Sequence, residues 1–421
     1  MLKRCNILAL TFLFLTLFLM RGNAQNEISS PYSGFGVGLL TNIKAGPMAA
    51  MGGVSYAMQN PMTINFKNPA AYAVFDSLTF IADLGFSAVN GRLKTTNASQ
   101  RGAYGRLDYL TIGAALTKRW RTSVGITPFS DVGYKIHDSR EDMNYTYDGS
   151  GGLMQLYWGN SVKIAKGLSV GLNASYLFGT MNNTRYVEFS GENFLNSRIA
   201  QTLIVDGIYL SAGLQYFTNI KENHKLGFGV VYENSAYIWV KENLYINNYT
   251  NIYNPKASYD TVLNTIGERG RMVIPQSIGG GISYAFKNKL LVGVDLTWQN
   301  WDKYLCMGQK DSLKNALVTA VGLQYTPDPL SAKYMKRVNF RAGAKYSSGY
   351  MRFNNSTISE YSVSFGIGLP LRSFSSLSLF NIMFEYGQYG TAKNDLILQS
   401  YYKISLNFTL QERLYQRIKL D

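Results

Sequence analysis

The sequence predicts an all-β fold, a transmembrane antiparallel β-barrel of about 14 strands with an N-terminal plug, or hatch, in its lumen. The chain carries 31 Tyr and 22 Phe residues, an aromatic load typical of barrels with aromatic girdles at both lipid interfaces. Apolar and polar residues alternate along many short segments, as they do on the two faces of a β-strand. Beyond the N-terminal signal, no segment has the roughly 18 consecutive apolar residues of a spanning helix, so strands are expected to cross the membrane.

The first residues have the pattern of a secretory signal peptide. Lys3 and Arg4 precede an apolar run from Ile7 to Met20, and small residues then lead to a cleavage site expected after Ala24. The run is shorter than the roughly 20 apolar residues of a membrane anchor. Cys5 lies ahead of the run rather than at the cleavage point, so a lipoprotein is not indicated. We therefore expect export to the outer membrane of a Gram-negative bacterium.

The chain is basic, with 41 Lys and Arg residues against 26 Asp and Glu residues. The basic residues are scattered singly instead of forming a dense run, which favours charges at the membrane edge and in the lumen over a nucleic-acid surface. Outer-membrane lipid is therefore an expected partner, and nucleic acid is not. Beyond the signal, Cys306 is the only cysteine, so no intramolecular disulfide is expected.

The alternation is clearest near the end of the chain, in the segment YKISLNFTL. Apolar residues share one face and polar residues the other: Tyr402, Ile404, Leu406, Phe408 and Leu410 oppose Lys403, Ser405, Asn407 and Thr409. The same pattern recurs around residues 168–176, 290–299, 338–346 and 361–369. In a soluble sandwich the apolar face points to a core, whereas in a barrel it points to lipid, so the pattern fits both architectures.

The lengths of the connections favour the barrel. The predicted strands lie at about 77–94, 105–118, 121–137, 151–165, 168–188, 201–218, 225–242, 273–287, 289–303, 314–326, 337–352, 358–369, 375–390 and 397–411. Connections after the first, third, fifth and seventh of these strands are long and polar, and those between them are the short KRW, AKG, NIKENH and KNK. Short periplasmic turns and long external loops are typical of outer-membrane barrels.

The segment that precedes the predicted wall is too apolar for a solvated tail. Residues 25–76 are rich in Gly and Met, whereas a solvated tail is expected to be polar and charged. The lumen is the available cavity, so the prediction is a signal peptide at 1–24, a hatch at 25–76, a barrel at 77–411 and a periplasmic tail at 412–421. Candidates for contact with a hydrophobic ligand are Met48, Met51, Met58, Met62 and Phe66, because thioethers adapt to variable shapes. The same side chains also suit packing of the hatch against the wall.

The hatch carries a family resemblance. The stretch AGPMAAMGGVSYAMQNPMTINFKNPAAYAVF, which begins at Ala45, resembles the N-terminal hatch of the FadL/TodX outer-membrane transport family. Its Gly-Gly pair is Gly52 and Gly53, and its Asn-Pro-Ala element is Asn68, Pro69 and Ala70. The resemblance implies a barrel of fourteen strands that is plugged by its N-terminus. The chain departs from that family in continuing past Leu410 with QERLYQRIKLD and in having an extra Asn-Pro pair at residues 60–61.

Pro128 and Phe129 interrupt the third predicted strand. Proline cannot donate to a β-ladder, so within a sheet it is tolerated only at edges and bulges. One interpretation is a simple bulge that bends the strand. The other is a break that opens the wall sideways, because the resemblance implies a kink in the third strand that forms a lateral portal.

The sequence offers little for catalysis or metal binding. His137 and His224 are its only histidines, and they are expected at opposite ends of the barrel. Asp138, Glu141 and Asp142 could gather a cation, but a solvated loop explains them equally well. We therefore predict no catalytic residue, no metal site, no cofactor and no enzymatic activity.

Two functions from different classes remain. The leading hypothesis is passive uptake of hydrophobic, fatty-acid-like compounds through a lumenal pocket and a lateral opening. The alternative is a non-transporting structural or shuttle subunit of a larger outer-membrane complex for secretion or barrel assembly, in which other outer-membrane proteins are the partners. A continuous apolar tunnel that reaches Pro128 would favour uptake, and a lumen closed by the hatch and loops would favour the subunit role.

Overall fold

The structure is a computed structural model that describes residues 30–77, 79–96, 98–191, 194–250, 260–353, 356–372, 376–394 and 396–413. The predicted signal peptide and residues 414–421 of the predicted tail lie outside the described residues. The described chain forms a closed antiparallel barrel of 14 wall strands, as predicted. No helix in these described ranges is long and apolar enough to cross a membrane.

The wall strands follow one another along the chain. They are β1 (Thr79–Lys94), β2 (Ser99–Ala115), β3 (Trp120–Ser139), β4 (Met143–Ala165), β5 (Leu168–Phe189), β6 (Asn196–Lys221), β7 (His224–Glu233 and Ala236–Tyr249), β8 (Asp260–Ile274 and Ser277–Phe286), β9 (Leu290–Gln299), β10 (Ala316–Tyr325), β11 (Asn339–Ser347), β12 (Glu360–Arg372), β13 (Ser376–Gly390) and β14 (Leu398–Arg413). Short strands lie at Leu39–Leu40, Leu305–Cys306, Arg352–Phe353 and Ser356–Thr357. The described helices are short: an α-helix at Gly46–Ala49 and 3-10 helices at Pro31–Gly34, Pro69–Val74, Trp301–Lys303 and Tyr334–Arg337.

The barrel closes because β1 pairs with β14 along its whole length, from Thr79 opposite Arg413 to Lys94 opposite Leu398. Strands β7 and β8 are each broken once, and β8 breaks at Pro275, which cannot donate to the ladder. The first half of β7 pairs with the end of β6, and the second half pairs with its beginning. Each broken strand therefore crosses the wall as a single strand.

The apolar face of the alternating strands points outward. Tyr402 and Ile404 in β14 are each 53% exposed, whereas Asn407 and Thr409 on the opposite face are 4% and 1% exposed. The same reversal holds around the wall, where the exposed side chains include Leu156, Trp158, Leu172, Phe228, Val294, Leu323, Phe365 and Phe384. An apolar exterior around a polar interior distinguishes a membrane barrel from a soluble sandwich.

The prediction of long loops after the first, third and fifth strands is wrong. The strands themselves continue through these segments, so the connections shrink to residues 95–98, 140–142 and 190–195. His137 lies opposite Thr146, for example, and Arg92 lies opposite Arg101. Residues that rise beyond the lipid are polar on both faces, which resembles a loop in sequence although the ladder still pairs the backbone. Residues 251–259 of the seventh connection lie outside the described residues.

An N-terminal segment, residues 30–77, lies against the inner face of the wall. Its side chains Val37, Val54 and Ile64 are fully buried. Several inward positions of the wall are Gly, and the segment approaches them closely. A Cβ at Gly229 would overlap the Tyr56 carbonyl, and one at Gly343 would overlap the Met51 backbone. Glycine at these positions lets two backbones come into direct contact.

We predict that Gly229→Ala destabilises the barrel although alanine is ordinarily the better strand residue. The added methyl group displaces the backbone of the N-terminal segment, which typically costs about 1–3 kcal/mol of unfolding free energy. Gly280→Ala on neighbouring β8 is the matched control, because its Cβ would meet its nearest atom only at 4.0 Å. The temperature at which the folded band disappears in heat-modifiability electrophoresis measures both variants. Equal midpoints would show that the segment does not press on Gly229.

Candidate functional site

The barrel interior contains two apolar clusters. The first lies toward the end of the long strands and brings the start of the N-terminal segment together with residues after β9 and β11; among its members are Tyr32, Val37, Leu153, Val205, Ile238, Met272, Trp301, Tyr304, Tyr350 and Met351. The second lies toward the short turns and contains much of the N-terminal segment; among its members are Met48, Met51, Val54, Met58, Ile64, Phe66, Tyr72 and Phe75. Each cluster fills part of the lumen with side chains.

A cavity of about 280 Å³ lies in the described interior, and its lining mixes charged with apolar side chains. Eleven charged side chains line it: Lys44, Lys67, Arg106, Asp108, Asp131, Glu233, Asp295, Lys345, Glu360, Glu385 and Lys403. Buried charges are stable only when they are paired or hydrogen-bonded. The cavity therefore calls for a network of contacts among its own walls.

Such a network connects the four strands β11, β12, β13 and β14, and it continues to β2. The Lys345 ammonium lies 2.7 Å from Glu360 Oε1, and the Tyr401 hydroxyl lies 3.0 Å from the same oxygen and 3.1 Å from Glu385 Oε1. Asp108 accepts from Arg106 Nε at 3.0 Å and from the Ser87 hydroxyl at 2.8 Å. These contacts neutralise much of the charge within the wall itself.

Asp295 holds the N-terminal segment. This β9 side chain is 4% exposed, and its Oδ2 accepts the backbone N–H groups of Ser55 at 2.6 Å and Tyr56 at 2.9 Å. Gln215 of β6 donates to the Tyr56 carbonyl at 2.8 Å. The alternation over residues 290–299 indicates only a strand, although a lone acid among Leu and Val residues is a usable signal of a buried contact.

Lys44 lies beside this contact in the N-terminal segment. Burial lowers the pKa of its ammonium, the charge of Lys67 lowers it further, and Asp295 and Glu233 oppose that change. Its Nζ lies 5.5 Å from the centroid of the Tyr56 ring. Burial is therefore the main influence that disfavours the charged form of Lys44.

The Asn-Pro-Ala element connects two parts of the N-terminal segment. Asn68 Oδ1 accepts from the Ala70 N–H at 3.1 Å and so caps the 3-10 helix that begins at Pro69. Its Nδ2 donates to the Tyr56 carbonyl at 2.7 Å. Because the Asn68 side chain is fully buried, this double contact fixes the turn at Tyr56 relative to the helix.

The Gly-Gly pair ends the short helix Gly46–Ala49. Gly52 and Gly53 have φ values of +70° and +91°, the left-handed region that only glycine adopts readily. The Gly53 N–H donates to the Met48 carbonyl at 2.9 Å, and the Gly52 N–H donates to the Ser364 hydroxyl at 2.9 Å. The pair therefore turns the chain and attaches it to β12.

The predicted ligand-contact residues do not line the large cavity. Met48, Met51 and Met58 are buried in the second apolar cluster, and Met62 is half-buried. Phe66 lines a smaller cavity of about 60 Å³ that also touches Pro128 and Phe129. Packing accounts for the three buried methionines, and ligand contact stays a prediction for all five residues.

Pro128 and Phe129 mark a bulge and a gap in the wall. The β3–β4 ladder shifts register between Pro128 and Ser130, and β3 pairs with β2 only through residues 121–126. Within the described chain, residues 99–109 of β2 have no ladder partner on β3. The edge that β3 leaves open is covered from inside, where Leu39 and Leu40 pair with Asp131 and Ser130.

The two histidines lie at opposite ends of the barrel. His137 Nδ1 lies 2.9 Å from the Thr146 hydroxyl, and His224 Nδ1 lies 2.6 Å from the Tyr284 hydroxyl. Among the described residues, no group of three His, Cys, Asp or Glu side chains is arranged to hold a metal ion. Burial raises the pKa of the Cys306 thiol to about 11, so this cysteine is a weak nucleophile at neutral pH.

Solved structures with the same fold include a FadL homologue, a toluene transporter and a hydrocarbon channel by their titles. A FadL homologue from Pseudomonas aeruginosa is 11% identical with a TM-score of 0.58, and the alignment covers 90% of this chain and 100% of that chain. The Pseudomonas putida toluene transporter TodX is 14% identical with a TM-score of 0.57, covering 89% and 99%. The monoaromatic hydrocarbon channel CymD is 15% identical with a TM-score of 0.54, covering 90% and 99%. At these identities the likeness concerns the fold.

Comparison with family models gives a match over the full length. No curated protein matches the sequence. The model described as BamG matches residues 1–421. Because that match spans the whole chain, the protein belongs to the BamG family, a family of outer-membrane barrels related in fold to the FadL and TodX channels.

Proposed function

We propose that this barrel is a structural subunit of a larger outer-membrane complex for secretion or barrel assembly, and that it does not act alone as a channel. The observation that carries the proposal is the charged cavity between the two apolar clusters. Sites for hydrophobic ligands are lined mainly by apolar and aromatic side chains. A fatty-acid chain gains about 0.8 kcal/mol per CH₂ when it leaves water for apolar surroundings, and the eleven charged groups in the lining interrupt such surroundings.

In this proposal residues 25–76 act as a hatch that stays in place. Contacts to three wall strands and to the connection after β11 support it. The Gly46 N–H donates to the Tyr109 hydroxyl at 3.0 Å, and the Tyr350 hydroxyl donates to the Gly38 carbonyl at 2.9 Å. Together with the contacts of Asp295 and Ser364, these bonds hold the segment at intervals along its length. Movement of the hatch would break several buried hydrogen bonds at once.

We propose that a partner protein binds the side of the barrel where the wall strands are longest. Strands β3 to β8 rise well beyond the apolar belt, and residues 260–271 of β8 pair only with β7. Ile266 in this edge is 77% exposed and Val262 is 59% exposed. Exposed apolar residues on an open strand edge suit pairing with another chain. Tyr- and Asn-rich residues 245–250 lie beside them, as expected of an adaptable interface.

A second candidate function is uptake of hydrophobic compounds, which the gap beside Pro128 favours. An external loop region would capture the compound, and the small cavity at Phe66 and Phe129 would pass it sideways into the bilayer. The preference of the compound for lipid over water would drive this step without energy coupling. The structural likeness to TodX and CymD supports the same candidate at the level of fold.

Purification from the native outer membrane in mild detergent separates the two candidates. Mass spectrometry is applied to the co-purifying proteins and to the extracted small molecules. We expect stoichiometric partner proteins and no enriched hydrophobic compound. A lone barrel with a bound fatty acid or aromatic compound would reject the subunit role and support uptake.

We predict that Asp295→Ala loosens the hatch. The change leaves the buried N–H groups of Ser55 and Tyr56 without an acceptor, which costs about 1–3 kcal/mol for each unsatisfied group. Limited proteolysis of the folded barrel, read by mass spectrometry at residues 44–67, is expected to show cleavage in the variant and protection in the unchanged protein. Asp295→Asn keeps one acceptor oxygen and is expected to lie between the two. Full protection in Asp295→Ala would mean that other contacts suffice.

A reversible crosslink tests whether the gap is a route. Leu40 and Ser130 are ladder partners, and Cα separations across an antiparallel ladder suit a disulfide. In a Cys306→Ser background, Leu40→Cys with Ser130→Cys is expected to crosslink the hatch to β3 without loss of partner proteins. Uptake of a fluorescent fatty acid by whole cells is the second readout. Uptake that stops on oxidation and returns on reduction would contradict the subunit proposal.

A further inference from the structure

The short-turn end of the barrel carries a ring of exposed basic residues. Ten cations lie in or next to the turns of this end: Lys118, Arg119, Lys163, Lys166, Lys221, Lys225, Lys287, Lys289, Lys333 and Lys336. The exposed acids described at the same end are Asp76, Glu222 and Glu412. We call this set of ten cations the basic rim. Cations therefore outnumber acids among the exposed side chains of this end.

The fold does not use these charges internally. The ion pairs of the described residues involve Arg106, Arg140, Lys345 and Lys403, which lie elsewhere. Within that described part, no member of the basic rim has a carboxylate within 4 Å. Like charges arranged in a ring repel one another, so external anions at this end would lower the energy of the molecule.

Aromatic residues place the basic rim at the level of lipid headgroups. Trp120, Tyr216 and Tyr325 point outward near the same turns and are exposed. In outer-membrane barrels such a girdle marks the boundary between hydrocarbon and headgroups. The Lys225 ammonium lies 4.5 Å from the centroid of the Phe217 ring, and the Lys287 ammonium lies 5.2 Å from that of Phe286. The cations of the basic rim therefore lie directly next to the aromatic girdle, on its periplasmic side.

The connection between β10 and β11 combines both features in one segment. Leu330 is 85% exposed and Met335 is 68% exposed, and exposed Lys333 and Lys336 lie beside them. An apolar side chain next to an ammonium group matches a lipid, which offers an acyl chain next to a phosphate. An acidic protein surface would match the charges but not the two apolar side chains.

The opposite end of the barrel also carries exposed cations, among them Arg92, Lys94, Arg101 and Lys135. Its turn after β3 mixes Arg140 with Asp138, Glu141 and Asp142, and Arg140 pairs with Asp138 at 3.2 Å. The inference therefore rests on the combination of cations with exposed apolar and aromatic side chains at the short-turn end.

We infer that the basic rim binds the phosphate groups of anionic phospholipids in the leaflet that the short turns face. Those turns face the periplasm in outer-membrane barrels, so the leaflet is the inner one. Clustered Lys and Arg residues at a membrane surface are the usual means of recognising anionic lipid. The inference does not depend on whether the barrel is a subunit or a channel, because the rim lies outside the lumen.

The test uses the full-length mature barrel and native mass spectrometry with phosphatidylglycerol and phosphatidylcholine as probes. We expect the unchanged protein to retain phosphatidylglycerol preferentially at low salt, and the preference to decline as salt rises. The rim variant replaces Lys287, Lys289, Lys333 and Lys336 with Gln. Its preference for phosphatidylglycerol is expected to fall at least about fivefold, the equivalent of one cation at an anionic surface.

Two further variants keep the result interpretable. The first replaces Lys118, Arg119, Lys163 and Lys166 with Gln on another part of the basic rim, and it is expected to behave like the first rim variant. The second replaces Arg92, Lys94, Arg101 and Lys135 with Gln at the opposite end, and it is expected to keep the lipid preference. Heat-modifiability electrophoresis confirms that each variant is folded.

Three outcomes would overturn the inference. The first is an unchanged protein with no preference for phosphatidylglycerol. The second is a preference that survives in both rim variants, and the third is a preference that the opposite-end variant loses equally. Retention of polyglutamate without retention of phosphatidylglycerol would identify the basic rim as a surface for acidic protein and would also reject the lipid assignment.

Discussion

Every backbone N–H and C=O group inside a bilayer needs a partner within the protein, and this constraint links the wall to the N-terminal segment. The β3–β4 ladder shifts register beside Pro128, and the β2–β3 ladder ends at Ile126, just before the proline. The freed groups of β3 are then paired from inside by Leu39 and Leu40, while the Thr41 N–H donates to the Phe129 carbonyl at 3.1 Å. The segment therefore completes the ladder that the proline interrupts, so its position in the lumen follows from the wall strand it pairs with.

The chemistry of the lumen separates this barrel from what its fold alone would suggest. Two apolar clusters occupy part of the lumen, and the cavity between them contains ion pairs and hydrogen bonds such as that of Lys345 with Glu360. A pocket for an apolar compound is lined mainly by apolar side chains, with few polar groups. Fold is thus a weaker guide to function here than the residues that face the lumen.

The number of strands and the existence of a buried N-terminal segment were predictable because both depend on local patterns. Alternation in stretches such as YKISLNFTL, together with turns such as KRW and AKG, located most strands within a few residues. Alternation could not show whether the apolar face points outward or inward, because a strand alternates in the same way whether that face contacts lipid or a protein core. The loops after β1, β3 and β5 were misread because strands above the lipid carry polar residues on both faces. Contacts such as Asp295 with Ser55 join residues 240 positions apart, and no local pattern reports them.

The interior and the exterior of the barrel differ in how many of their polar groups are already paired. Hydrogen bonds of Asp295, Gln215 and Ser364 fix the interior and leave little there that a ligand can displace without breaking buried bonds. The exterior, in contrast, presents an open strand edge with Ile266 at one end and uncompensated cations at the other. Binding to exposed, unpaired groups costs little free energy, whereas moving buried groups costs much because their hydrogen bonds must first be broken. On these energetics we propose that recognition takes place at the two ends of the barrel rather than in its lumen.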